Sequence, residues 1–123
     1  GHHLGKLLDA AHDAASQTAL GAAYEMLWAF RARSKGTQDR IARGDLPGPE
    51  ASIDKLLVAA ADQAVFDTVR ELLTGVIESD DTLRGRAWRR EWAYSRAATI
   101  YGGTSEIQKD IVATRLLGLP RSV

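Results

Sequence analysis

Apolar residues recur at intervals of three and four along almost the whole chain, and no stretch alternates with the period of two that a half-buried strand requires. Breaker residues cut this pattern into helices. From Ala19 to about Arg43, the set Leu20, Ala23, Tyr24, Leu27 and Phe30 forms one stripe, widened by Trp28. Upstream, Leu4, Leu7, Leu8 and Ala11 form a shorter stripe that either continues this helix backwards or packs as a separate turn; Gly21 leaves the join open. The run from Arg43 to Pro49 is a loop, and Pro49 suits the first turn of the next helix. That helix carries Ile53, Leu56, Leu57, Ala60, Ala64, Val65, Val69, Leu72 and Leu73 on a wide apolar face, with Lys55, Asp62 and Arg70 opposed to most of it. It ends or kinks at Thr74-Gly75.

A third helix runs from about Thr82 to Ile100 and presents Leu83, Trp88, Trp92, Ala98 and Ile100. After the break at Gly102-Gly103, a last helix starts at Thr104 or Ser105 and runs to Leu117, with Ile107, Ile111, Val112 and Leu116 facing inward. Ser105 and Gln108 have the spacing of a capping box, and Gly118 with Pro120 supplies the stop. Amphipathic helices joined by short connections pack most simply as an antiparallel four-helix bundle, so the expected fold is all-α, a single domain over residues 1–123.

Composition narrows the function classes. Hydrophobic residues make up 45% and charged residues 26%, a balance that folds rather than stays disordered. Sixteen Lys and Arg offset sixteen Asp and Glu, so no global charge favours nucleic acid. The absence of Cys excludes disulfides, thiolate metal sites and thiol nucleophiles. No apolar run approaches the roughly 20 residues of a membrane span. Gly1-His2-His3 reads as native sequence or a tag remnant, and no metal site is assigned.

Three constellations invite a chemical reading. Arg84, Arg86, Arg89, Arg90 and Arg96, interleaved with Trp88 and Trp92, form either a seat for phosphates and single-stranded nucleic acid or an arginine face over core tryptophans; the zero net charge favours the second. His12 beside Asp13 is not an acid/base pair, because adjacent helical residues do not face each other. The stretch from Tyr101 to Gln108 is the most informative. Its two glycines let another molecule approach the backbone, and the helix that follows points free amides and a positive dipole end at an anion there. Thr104 and Glu106 add a hydroxyl for a phosphate oxygen and a carboxylate for a ribose hydroxyl. A plain helix corner, with the glycines serving a tight turn, explains the same residues equally well.

The stretch from Ser95 to Arg121, centred on Tyr101-Gly102-Gly103-Thr104-Ser105-Glu106-Ile107-Gln108, closely resembles the C-terminal end of the acyl-CoA dehydrogenases. Gly48-Pro49-Glu50-Ala51-Ser52-Ile53-Asp54-Lys55-Leu56-Leu57 is similar to the preceding bundle helix of bacterial members, so the resemblance covers about Leu20 to Arg121. It implies the helical third domain of a three-domain flavoenzyme that oxidises the Cα–Cβ bond of acyl-CoA thioesters. FAD takes the hydride in that family, and an electron-transfer flavoprotein reoxidises it. The resemblance also implies a homo- or hetero-oligomer, and the Ala-, Arg- and Gly-rich composition points to a high-GC bacterium and so to the cytoplasm.

By position, the resemblance places Gly103, Thr104 and Glu106 against the adenosine and pyrophosphate half of FAD, and Tyr101 and Gly102 on the acyl-CoA side. Gly75 falls near a glycine pair that approaches the neighbouring subunit's flavin, although Thr74 replaces the other glycine and Glu71 the usual Gln. Gly102 stands where many members carry the catalytic glutamate that abstracts the Cα proton. Glycine cannot do so, and no catalytic residue is assigned within this chain. The resemblance therefore implies a domain inactive alone, or a non-catalytic subunit of a heteromeric dehydrogenase.

Overall fold

The computed structural model describes residues 13–121. In chain order they form α1 (Ala14–Ala42), α2 (Ala51–Leu72), α3 (Leu83–Ala97) and α4 (Ser105–Ile111), which continues into a π-helical turn at Val112–Leu116. The described residues contain no strand, so the all-α, four-helix architecture expected from the periodicity stands. The N-terminal stripe, His12 and Gly1-His2-His3 lie outside the described residues.

Helix α1 starts five residues earlier than the stripe at Ala19 indicates, because Asp13 caps it. Its carboxylate accepts the Ser16 backbone N–H at 2.8 Å. Gly21 and Gly36 lie inside the helix with nothing near the place a Cβ would occupy, so they weaken it without breaking it. Gly44, in the left-handed region at φ 94°, stops it: its N–H bonds the Ile41 carbonyl, and the Asp45 N–H bonds the Arg40 carbonyl.

Helix α2 is the shared element, packing on α1, α3 and α4. Contact pairs fix its directions. Leu20 of α1 joins Phe66 and Val69 in the core, whereas Arg33 and Thr37, farther along α1, bond Asp54 near the start of α2. Phe66 meets Trp88 edge to face at 5.9 Å, Asp67 bonds Trp92 and Arg96, and Lys55 reaches the Ala98 carbonyl. Numbers rise on one helix as they fall on the other in both pairs, so α2 is antiparallel to α1 and to α3.

Leu20, Phe66, Val69, Ile77 and Trp88 form the core, with Leu72, Leu73, Val76 and Trp92 packed against it. Each fully buried side chain of this size contributes roughly 1.5–3 kcal/mol. The far end of the α1–α2 seam is polar: Arg33 Nε stands 3.3 Å from Asp54, Thr37 donates to Asp54 at 2.6 Å, and Arg40 pairs with Glu50.

Several residues assigned to inward faces are exposed. Tyr24 and Trp28 are among them, because steps of four drift about 40° each, leaving Trp28 about 80° round the helix from Leu20. Leu83 lies about 140° round α3 from buried Trp88, and Ile100 falls beyond the helix end. On α4 and the π-helical turn that continues it, Ile107 and Leu116 face solvent, and Gln108 takes the buried position.

Candidate functional site

The turn between α3 and α4 uses two consecutive left-handed residues, Gly102 at φ 66° and Gly103 at φ 96°. Their surroundings differ. A Cβ on Gly103 would stand 2.5 Å from Gln108 Nε2, so the chain itself fills that space. A Cβ on Gly102 would meet only Lys55 Cε, at 3.6 Å, and Gly102 is exposed. Of the two glycines, Gly102 is the one that another molecule can approach.

The cap of α4 is Thr104 rather than Ser105. Thr104 has extended backbone angles, and its hydroxyl accepts the Ile107 N–H at 3.4 Å. Gln108 does not return to the cap as a capping box requires; its side-chain amide donates to the Gly102 carbonyl at 3.0 Å. The Ser105 N–H donates to the Thr99 carbonyl at 3.0 Å. Glu106 is exposed, and its carboxyl is held below the ordinary range by a hydrogen bond from its own backbone amide and then by the Thr104 hydroxyl. An ionised carboxylate thus lies over the helix start.

Tyr101 stacks on Tyr94 with ring centres 6.0 Å apart, and Lys55 Nζ stands 4.1 Å from the centre of the Tyr101 ring. Lys55 also donates to the Ala98 carbonyl at the end of α3, where a cation opposes the negative end of the helix dipole. Partial burial, followed by Tyr94 and Asp62, pushes the Tyr101 phenol up. Burial and the neighbouring Glu91 carboxylate push Asp62 up as well.

Tyr101, Gly102, Gly103, Thr104 and Glu106 therefore form one surface. Gly75 belongs to another. It stands at φ 79° in a groove of about 710 Å³ between the end of α2 and α3, whose walls include none of residues 101–106. Thr74 and Glu71 line this groove together with Asp67, Arg70, Glu78, Trp92 and Arg96.

Of the five arginines singled out on α3, Arg89 and Arg96 tie elements of the fold together, and Arg90 makes an exposed pair with its neighbour. Arg89 donates to the Ile77 carbonyl at 2.7 Å and to that of Asp80, tying the α2–α3 connection to the helix. Arg96 pairs with Asp67 at 3.1 Å, and Arg90 with Glu91 at 3.0 Å. Trp88 is core, and the Trp92 indole donates to Asp67.

Sequence reasoning missed Lys55, placing it among residues opposed to the apolar face, and it gave Gln108 a capping-box role where the structure bonds it to the Gly102 carbonyl. A signal for Lys55 was present: antiparallel packing of α2 on α3 brings the beginning of one helix to the end of the other, where free carbonyls attract a cation.

Residues 9–117 match the family model described as acyl-CoA dehydrogenase, C-terminal domain. Acyl-CoA dehydrogenase IpdE1 of Mycolicibacterium smegmatis (strain ATCC 700084 / mc(2)155) is 61% identical over 36 residues, 29% of this chain and 9% of that protein. Its namesake from Mycobacterium tuberculosis (strain ATCC 25618 / H37Rv) is 59% identical over 34 residues, 28% of this chain and again 9% of that protein. Among solved structures, the Tcur3481-Tcur3483 steroid ACAD superposes on 97% of this chain with a TM-score of 0.84 and 21% identity, and the chain spans 34% of its length. The fold, and a family match covering most of the sequence, place this chain in the acyl-CoA dehydrogenase family, as a C-terminal helical domain.

Proposed function

We propose that these 123 residues are the C-terminal domain of a flavin-dependent enzyme that oxidises the Cα–Cβ bond of acyl-CoA thioesters. Its part is to flank the flavin and build an oligomer rather than to supply the proton acceptor. The observation that carries this reading is Gly102: the residue that the resemblance matches to the usual base is an exposed, left-handed glycine beside a lysine, with no carboxylate on it.

FAD, when bound, supplies the hydride acceptor. The residues at the start of α4 suit its adenosine half: Gly103 keeps the turn tight, Glu106 offers an ionised acceptor for ribose hydroxyls, and the Thr104 hydroxyl lies beside it. Tyr101 and the open backbone at Gly102 face the acyl side. Proton abstraction belongs to a carboxylate on another segment or subunit. The flavin is reoxidised by an electron-transfer flavoprotein in the cytoplasm.

A second reading, a non-catalytic subunit of a heteromeric dehydrogenase, is favoured by the same glycine and by the fold shared with the Tcur3481-Tcur3483 steroid ACAD. The visible spectrum of the purified 123-residue chain tests the proposed division of labour. No stoichiometric flavin band and no acyl-CoA oxidation with an artificial electron acceptor are expected; a stoichiometric band from the chain alone overturns it. Turnover in the complete reading frame, lost when its upstream carboxylate is replaced, separates the first reading from the second.

A further inference from the structure

We infer that the groove beside Gly75 rejects the diphosphate of a neighbouring subunit's flavin, because its own carboxylates already hold both of its cations. This rests on reading the chain as an acyl-CoA dehydrogenase domain, since that resemblance is what brings a flavin to Gly75.

Two arginines line the groove, and each already has a carboxylate partner there. Arg70 pairs with Glu78 at 2.6 Å, and Arg96 with Asp67 at 3.1 Å. Both guanidiniums also lie against the Trp92 ring, 5.7 Å and 5.2 Å from its centre. Arg96 is tied further to the Ser95 hydroxyl at 3.0 Å. Turning either arginine towards an incoming anion breaks an ion pair and a ring contact together.

The third carboxylate, Glu71, is exposed and holds no partner among the described residues, so the wall carries three negative charges against two positive ones. A diphosphate entering it meets a like charge. Close approach of backbone is hindered as well. Thr74 brings a side chain where the family's pair has a second glycine, and the Ser79 hydroxyl stands 3.3 Å from where a Cβ on Gly75 would be.

The test titrates inorganic pyrophosphate into the 123-residue chain at low salt and follows the Trp92 indole N–H by NMR, since that group donates to Asp67 in the groove. The unaltered chain is expected to show no saturable shift up to millimolar pyrophosphate. The double variant Glu71→Gln/Glu78→Gln, both at exposed positions, removes the free carboxylate and releases Arg70; it is expected to bind at least tenfold more tightly, with a saturable shift. A circular dichroism spectrum matching the parent establishes that the variant folds. Equal saturable shifts in both proteins overturn the inference, and so does a folded variant that fails to bind. The readout is independent of acyl-CoA oxidation, so failure of the enzymatic reading leaves its outcome unaltered.

Discussion

Lys55 on α2 stands 4.1 Å over the ring of Tyr101, which lies beyond the end of α3, and from there donates to the Ala98 carbonyl. One side chain thus fixes the end of α3 and the residue that opens the glycine turn. Packing and electrostatics coincide here: the lysine stem crosses the α2–α3 seam, and its charge meets the carbonyl end of a helix. Lys55→Met keeps the stem and removes the charge. It is expected to lower stability by about 1–3 kcal/mol, the combined loss of a charged hydrogen bond and a cation–π contact. Urea unfolding measures this, and an unchanged midpoint would show that the lysine holds nothing.

The two turn glycines respond differently to alanine. Gly103→Ala places a methyl group in a left-handed residue and against the Gln108 side-chain amide, which must shift from the position where it bonds Gly102. The expected cost is about 2–4 kcal/mol, backbone strain plus a buried amide left without its acceptor. Gly102→Ala meets only a lysine methylene at contact distance, so it carries the backbone cost alone, about 1–2 kcal/mol. Equal losses in chemical denaturation would show that Gln108 does not fill the turn.

How far the fold was legible follows from what each residue must satisfy. Breakers such as Gly44 and Gly75 act locally, through their own φ, and so mark the helix ends in the sequence. Burial depends on a partner surface that no local pattern reveals. Trp28 and Ala23 look alike in a stripe, yet Ala23 is 2% exposed and Trp28 61%. The same holds at the site. Tyr101 to Glu106 are contiguous and could be read together, whereas Lys55 and Gln108 join them through tertiary contacts, and Gly75 is separated from them into another groove.

The cap of α4 offers a sharp comparison between neighbouring residues. Thr104 has the extended backbone and accepting hydroxyl of a cap, and Ser105 is the first helical residue. Thr104→Ala is expected to cost about 1 kcal/mol and Ser105→Ala a few tenths. Hydrogen exchange of the Ile107 amide reads this locally, faster in the first variant and unaltered in the second. The opposite ranking would return the cap to Ser105.

Asp62 is expected to oppose folding at neutral pH. Burial and the Glu91 carboxylate push its carboxyl above the ordinary range in the folded protein. The folded state therefore binds that proton more tightly than the unfolded chain. The penalty is fully present above the folded value and disappears below the unfolded value, about 3.9. Other carboxylates act with the opposite sign. Glu78 is held down by Arg70, and Asp80 by its hydrogen bonds with Thr82, so each contributes stability that is lost as pH falls through its folded value. Acid thus weakens the protein as a whole even while it relieves Asp62, and the comparison must be made between proteins at the same pH. Asp62→Asn should be more stable than the parent at pH 7, on the order of a few tenths of a kcal/mol because water screens this half-open face. At pH 3 the difference should vanish. Glu91→Gln removes one cause of the penalty, so the gain from Asp62→Asn should be smaller in that background. Thermal unfolding of the four proteins at both pH values checks the sign and the coupling; a variant less stable than the parent at pH 7 would mean that the carboxylate makes a favourable contact when ionised.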